Sequence, residues 1–364
     1  MVRRGHEVTV FATDAYDIGS RLNLKDRFRI IDGAKVYFFH NFIRNHGFFI
    51  SPGIIDALSK TSGDFDIVHL HEYRTFQNLA FHFFTKVRAP YVLSPHGELE
   101  FIEETLDVFA LRRLFENAFG KKLLLNASAV IALSEFEKAQ LIKMGVQEEK
   151  IEIVPNGINL SDYTDLPAKT SFKKNFNIDP RKLIILYLGR IAASKGIDLL
   201  LKAFAELVKK SKVDDCLLVI AGTDDGYLNE AKSLVSHLGI SGLVLFTGML
   251  SEKDKVSAYV DSAVCTYLGQ FEAFGIVTLE AAVCGTPVIV SKGTPMANIV
   301  DAGKFGLQVK YGDINELVDA MRTILSDARL AEEMGRNGRR YVKDNLSWSV
   351  ISARIEAIYS KILQ

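Results

Sequence analysis

The chain has no net charge: forty-four lysines and arginines balance forty-four aspartates and glutamates. That balance removes the field that a nucleic acid or other polyanion would follow, so any basic patch must be local and no nucleic-acid partner is expected. Cysteine is scarce. Cys216, Cys265 and Cys284 lie in apolar runs without metal-ligand spacing, which excludes a disulfide framework and reads as buried thiols in a reducing compartment. No apolar run is long enough to cross a bilayer, and Met1-Val2-Arg3-Arg4-Gly5-His6 lacks the apolar core of a signal peptide. A cytoplasmic protein is the expectation, with association at a membrane surface left open. Internal repeats and low-complexity tracts are also missing.

What is present is an alternation. The 364 residues exceed one compact core and suit two domains. Apolar runs at Val36-Tyr37-Phe38-Phe39, Asp66-Ile67-Val68-His69, Tyr91-Val92-Leu93-Ser94, Ala129-Val130-Ile131-Ala132 and Ile151-Glu152-Ile153-Val154 are separated by helical patterns such as 77–87 and 134–144. Strands apolar throughout are buried on both faces, as in a parallel sheet flanked by helices. Ser134 followed by Glu137 reads as a capping box. Ahead of these runs, Arg3-Arg4-Gly5-His6-Glu7 reads as a helix end and its glycine cap, followed by the strand Val8-Thr9-Val10-Phe11-Ala12. A second set of strands follows at 183–188, 217–221, 243–246, 263–267 and 288–290, with helices at 196–210, 229–238, 316–325 and 347–362. The expected layout is a first domain over 1–160, a linker over 161–181, a second domain over 182–345 and a last helix over 346–364.

The stretch from Phe271 to Val288 organises the chemistry. It holds Glu272 and Glu280 with seven residues between them, among these Phe274-Gly275-Ile276 where a loop becomes a helix, and it stops at Gly285-Thr286-Pro287. Amides at a helix N-terminus favour an anion, and glycine lets the backbone approach a phosphate. An ordinary amphipathic helix with two solvated glutamates is the plain alternative. Gly189-Arg190-Ile191-Ala192-Ala193-Ser194-Lys195-Gly196 leaves the first strand of the second set, on the edge where doubly wound sheets bind ligands. Its arginine fork and lysine point charge suit a diphosphate.

Together these elements resemble the retaining glycosyltransferases of the GT-B fold, specifically glycosyltransferase family four. The resemblance covers nearly the whole chain and is most specific between Gly189 and the Gly-Thr-Pro turn. It implies an α/β fold, GT-B, of two Rossmann-like doubly wound domains facing a cleft, with a C-terminal helix crossing back to the first domain. In that family a strand and glycine-rich turn precede the point where this chain starts, and the expectation is that they are missing here. The implied activity is retaining transfer of a hexosyl unit from a nucleoside diphosphate sugar to a saccharide or lipid-linked acceptor. It needs no cofactor, and Arg190, Lys195 and a helix N-terminus replace a metal ion. Peripheral contact with the cytoplasmic membrane face is allowed.

The resemblance also implies roles. Arg190 and Lys195 hold the diphosphate, Glu272 the donor sugar, Glu280 the ribose, and Phe274, Gly275 and Ile276 offer amides to phosphate or sugar. Gly189 and Gly222 lie near the nucleotide, and the turn at Leu250 meets the base. His96, in Ser94-Pro95-His96-Gly97-Glu98, approaches the transferred sugar. Gly222 is followed by Asp224 and Asp225 where family members often have Gly-x-Gly-Pro.

Other features read differently. His69 and His71 point to one side of a strand and suggest packing or an acceptor-side role. Asp64-Phe65-Asp66 precedes a strand and reads as a turn rather than a metal motif. Arg112, Arg113, Lys121 and Lys122 with Leu111, Leu114, Phe115, Phe119 and Leu123 read as a core face with a basic solvated side, or else as a membrane stripe. Residues 37–49 are the candidate acceptor contact. A non-hydrolysing sugar-nucleotide epimerase and a non-catalytic sugar-nucleotide-binding protein are the competing readings.

Overall fold

The computed structural model describes residues 1–16, 20–45, 48–85, 89–97, 99, 119–211, 215–269 and 274–364. The chain forms two compact units, Met1–Val154 with Ser352–Gln364, and Pro155–Ile351.

In the first unit, a 3₁₀ turn at Val2–Arg4 ends on Gly5 in the left-handed region at φ 95°. The glycine cap read from Arg3-Arg4-Gly5 is there. Strand β1 (Thr9–Thr13) pairs in parallel with β3 (Ala34–Phe39), and β2 (Phe28–Ile31) pairs antiparallel with β3. A hairpin of β4 (Ile43–Asn45) and β5 (Phe48–Ile50) leads to helix α1 (Gly53–Thr61). Then β6 (Val68–His71), α2 (Phe76–Phe84), β7 (Tyr91–Ser94), α3 (Lys121–Leu125), β8 (Ala129–Ala132), α4 (Glu135–Lys143) and β9 (Ile151–Ile153) follow. Strands β6 to β9 pair in parallel in chain order. Among the described residues the strands of this unit therefore lie in separate sheets rather than in one. β7 and β8 are buried along their whole length, which is why neither alternates.

Ser134 caps α4, accepting the Glu137 amide at 3.2 Å. The reciprocal arm of the expected capping box is not made, because the Glu137 carboxylate is engaged elsewhere. Of the predicted basic stripe, residues 111–115 lie outside the described residues. Lys121 and Lys122 are exposed on α3 while Leu123 and Leu124 are fully buried, as a core-facing helix requires. No helix among the described residues is long and apolar enough to cross a membrane.

The second unit runs β10 (Leu183–Leu188), α6 (Ile197–Ser211), β11 (Cys216–Ala221), α7 (Leu228–His237), β12 (Val244–Gly248), α8 (Glu252–Asp261), β13 (Ser262–Tyr267), α9 (Ile276–Val283), β14 (Val288–Ser291), α10 (Pro295–Gly303), β15 (Gly306–Val309), α11 (Ile314–Ser326), α12 (Ala328–Asn345) and α13 (Trp348–Leu363). All six strands pair in parallel in the order β12-β11-β10-β13-β14-β15. The order reverses between β10 and β13. Ile185, Leu200, Phe204, Leu218, Ile220, Val264, Ile289 and Met321 are core members beneath the helices. Each such side chain contributes about 1.5–3 kcal/mol of burial.

Residues 161–181 are not a free linker. Leu160–Tyr163 forms a 3₁₀ turn, and a short helix, α5 (Ser171–Asn175), buries Phe172 completely and packs on α8. Asp261 at the end of α8 accepts the Thr170 amide at 2.5 Å and the Lys173 amide at 3.1 Å. The stretch lacks periodicity because these bonds, rather than an apolar stripe, hold it down. The chain passes from one unit to the other at Val154 and Pro155, and the last helix contributes Ser352–Gln364 to the first unit.

Candidate functional site

Open parallel sheets bind ligands beyond the carboxyl ends of their strands where strand order reverses. In the second unit those ends belong to β10 and β13, and the two stretches singled out in the sequence leave these two strands. Gly189 N donates to Ala221 O at 3.0 Å, Ile191 N to Thr223 O at 2.8 Å and Gly222 N to Gly248 O at 2.9 Å. The turns after β10, β11 and β12 are thus laced side by side. A Cβ on Gly222 would stand 1.8 Å from the Gly189 carbonyl oxygen, so only glycine fits.

Arg190 is exposed, and its Nη1 lies 2.6 Å from Asp225 Oδ2. Asp224 Oδ1 accepts the amides of Gly226, Tyr227 and Leu228 at 3.0, 3.1 and 3.1 Å, capping α7. The two aspartates that replace the family's pattern are therefore a helix cap and a counter-ion. Lys195 closes a 3₁₀ turn at Ala193–Lys195, half-buried, and is followed by Gly196. A Cβ on Gly196 would lie 3.0 Å from the Leu268 carbonyl oxygen, so the loops after β10 and β13 touch.

Beyond β13, Gly275 starts α9 at φ 91°. A side chain there would collide with the Tyr267 ring, its Cβ 2.6 Å away. No side chain among the described residues caps this helix, and amides at a helix start favour an anion. Phe274 is buried and Ile276 partly exposed, while Leu250 is half-buried in the turn after β12. Glu272 lies outside the described residues.

Glu280 stands in the second turn of α9, where the helical period places it, but it is not an open carboxylate. It accepts from Tyr259 Oη at 2.7 Å and Lys255 Nζ at 3.1 Å, and Tyr163 donates to it as well. Burial, reinforced by this carboxylate, pushes the Tyr259 and Tyr163 hydroxyls well above the usual range. Cys265 and Cys284 are raised by the same two causes, Cys284 to about 12, and all three cysteines are free and buried. Sequence reasoning misses Tyr163 because it lies in the supposed linker, and Lys255 and Tyr259 because α8 is mostly polar and shows no apolar stripe.

The first unit presents three imidazoles at the carboxyl ends of β6 and β7. His69 and His71 share a face, their rings stacked at 4.3 Å and 19°. His69 Nδ1 meets Tyr359 Oη at 2.5 Å, and its Nε2 meets Ser94 Oγ at 2.7 Å. His96 follows β7 in the left-handed region at φ 57°, unusual for a residue with a side chain. The buried Glu137 carboxylate braces that turn. It accepts the Gly97 and Leu133 amides, each at 2.7 Å, while burial raises its pKa against those bonds. Glu137 is a residue the sequence disguised as a cap.

Of the described residues within 37–49, only the stretch from Tyr37 to His40 lines a groove of about 510 Å³, together with Asp26, Arg27, Phe28 and Gly53. Beside it Asp14 accepts from the Asn41 amide and meets His40 Nδ1, each at 2.9 Å. Burial raises Asp14, but these partners and Arg27 outweigh it and hold the carboxyl below its ordinary value.

Residues 168–341 match the family model described as glycosyl transferases group 1, and residues 1–162 match the one described as glycosyltransferase family 4. This chain belongs to glycosyltransferase family 4. An uncharacterised glycosyltransferase of Methanocaldococcus jannaschii is 26% identical, over 99% of this chain and 90% of its own. D-inositol 3-phosphate glycosyltransferase of Gordonia bronchialis is 28% identical over 65% of this chain, and the match spans only 53% of that relative's length. Among solved structures, sucrose-phosphate synthase of Thermosynechococcus elongatus superposes with a TM-score of 0.76 at 22% identity, covering 99% of this chain and 90% of that one. HepE of Anabaena, solved with UDP-glucose, gives 0.71 at 20% identity, over 90% and 86%. The fold of this family-4 transferase is accordingly GT-B, with a Rossmann-like sheet in the second unit.

Proposed function

We propose that the chain is a retaining hexosyltransferase that uses a nucleoside diphosphate sugar and delivers the sugar to a hydroxyl of a saccharide or lipid-linked glycan. One observation carries the reading: the loop of Arg190 and Lys195 and the start of α9 both lie against the end of β13, Gly196 at Leu268 and Gly275 at Tyr267, where the sheet's strand order reverses. A diphosphate lying there takes amides from the helix start and cationic donors from the loop, so charge that builds on the leaving group is stabilised without a metal ion. Arg190 reaches it by leaving Asp225, and an exposed pair of this kind holds by only about 0–1 kcal/mol. Gly189, Gly222 and Leu250 border the nucleotide. Glu280 takes the ribose hydroxyls when one of its tyrosine or lysine donors gives way.

In the first unit, His96 hydrogen-bonds a hydroxyl of the transferred sugar, and the groove beside Arg27 and His40 takes the acceptor. Glu272 binds the donor sugar and is not a nucleophile. With one glutamate on the ribose, the pair does not flank a single bond as glycosidase carboxylates do. The departing phosphate instead assists the incoming hydroxyl on the same face. The relatives' names support a sugar-nucleotide donor, one being a GDP-mannose-dependent mannosyltransferase of Mycolicibacterium smegmatis.

Incubation with labelled UDP-glucose, GDP-mannose and other sugar nucleotides, with and without saccharide acceptors, tests the assignment. The expected result is acceptor-dependent release of one nucleoside diphosphate with a product of retained anomeric configuration. Release of none from any donor contradicts transfer. Conversion of donor without acceptor marks an epimerase.

A further inference from the structure

His71 has no part in the reading above, yet it bonds the ring on which the sugar contact depends. It closes β6, and His96 lies just past the neighbouring β7. Their rings run nearly parallel, 5.2 Å and 10° apart, with His71 Nδ1 2.9 Å from His96 Nε2. A neutral imidazole has one N–H donor and one acceptor nitrogen, so a single proton lies between these rings and their tautomers are coupled.

We propose that His71 is a positioning residue for His96: its Nδ1 fixes the tautomer and ring plane of His96, and so decides whether His96 Nδ1 meets a sugar hydroxyl as donor or acceptor. The inference rests on the assignment of His96 to the sugar.

The surroundings are built for this. Asn78 Nδ2 donates to the carbonyl oxygens of His71 at 3.2 Å and Glu72 at 2.9 Å, fixing the strand end, and Glu72 turns in the left-handed region at φ 64°. His69 stacks on His71 and is itself tied to Tyr359 and Ser94. Glu137 holds the Gly97 amide, so the backbone beyond His96 is fixed independently of its ring. Desolvation, then the neighbouring His96, lower His71 to about 4, which keeps it neutral at physiological pH, as a shared proton requires. A metal does not explain the group, since no three such side chains among the described residues have metal-ligand geometry.

Nitrogen-15 NMR of the histidine rings in the full chain tests this without any ligand. Wild type should show His96 in one dominant tautomer. His71→Phe keeps a flat ring and removes the nitrogen, and should give mixed tautomers; His71→Asn places a polar atom near the Nδ1 position and should restore one form. Turnover of UDP-glucose or GDP-mannose, whichever is the donor, should fall about tenfold in kcat in His71→Phe, the rate equivalent of one neutral hydrogen bond, with KM unchanged and recovery in His71→Asn. His96 ring signals and kcat unchanged in His71→Phe would overturn the proposal. His96→Ala separates the two claims: full activity there removes the sugar role of His96, whereas lost activity beside an unaffected His71→Phe removes only the positioning role.

Discussion

The two units place their candidate groups by different means. In the second, the backbone does it: three turns laced by main-chain hydrogen bonds and a helix start at Gly275 make up the proposed phosphate site, one defined by glycines. In the first, side chains do it: a histidine ladder, a buried glutamate and an asparagine fix one loop. A backbone site tolerates changes in nearby side chains but not in its glycines. A side-chain site behaves the other way round.

The largest break in that contrast should come at Gly222. A Gly222→Val change drives atoms into the Gly189 carbonyl and should cost about 3 kcal/mol or more, the range of severe strain and overpacking. Urea denaturation and loss of nucleotide binding would register it. Next comes Glu280→Ala, which strands the fully buried Tyr259 hydroxyl and should cost about 2 kcal/mol, with Glu280→Gln milder. Thermal unfolding gives the stability, and calorimetry with UDP and GDP should show weakened binding if the ribose role is right.

The first unit should betray its histidines through pH. Burial, and then neighbouring imidazoles, lower His69 well below 6.5 and His71 to about 4, so the unfolded chain binds more protons in that window. Stability should therefore be full above about pH 6.5 and fall as pH drops toward 4. His71→Asn should flatten that fall in urea melts at pH 7 and pH 5. Glu137 has the opposite sign, its raised pKa favouring the fold below the ordinary carboxylate range and losing that contribution as pH rises. The smallest effect is expected at Asp225→Asn: stability within about 0.5 kcal/mol, and UDP or GDP affinity up about twofold as Arg190 loses its competitor.

The contrast also explains what the sequence revealed. Leu183-Ile184-Ile185-Leu186-Tyr187-Leu188 and its partner runs announced buried parallel strands, and Gly189 and Gly275 marked turns, because a glycine requirement is written in the residue itself. β2 was hidden because all four of its residues are exposed, and β15 because it is an edge strand only partly buried. Glu137 looked like a cap because its spacing from Ser134 fits one, and only the fold sends its carboxylate to Gly97 and Leu133. Tyr163 and Tyr259 meet at Glu280 from segments about a hundred residues apart, a juxtaposition no local pattern encodes.

The central claim is that a diphosphate sits at the strand-order reversal of the second unit, held by Arg190 and Lys195. Calorimetric titration of wild type and Lys195→Ala with UDP, UMP, GDP and GMP tests it most directly. The account predicts that one diphosphate binds at least about tenfold more tightly than its monophosphate, the equivalent of one charge-assisted hydrogen bond, and that Lys195→Ala abolishes this difference. Equal affinity for diphosphate and monophosphate in wild type, or an unchanged preference in Lys195→Ala, would contradict it.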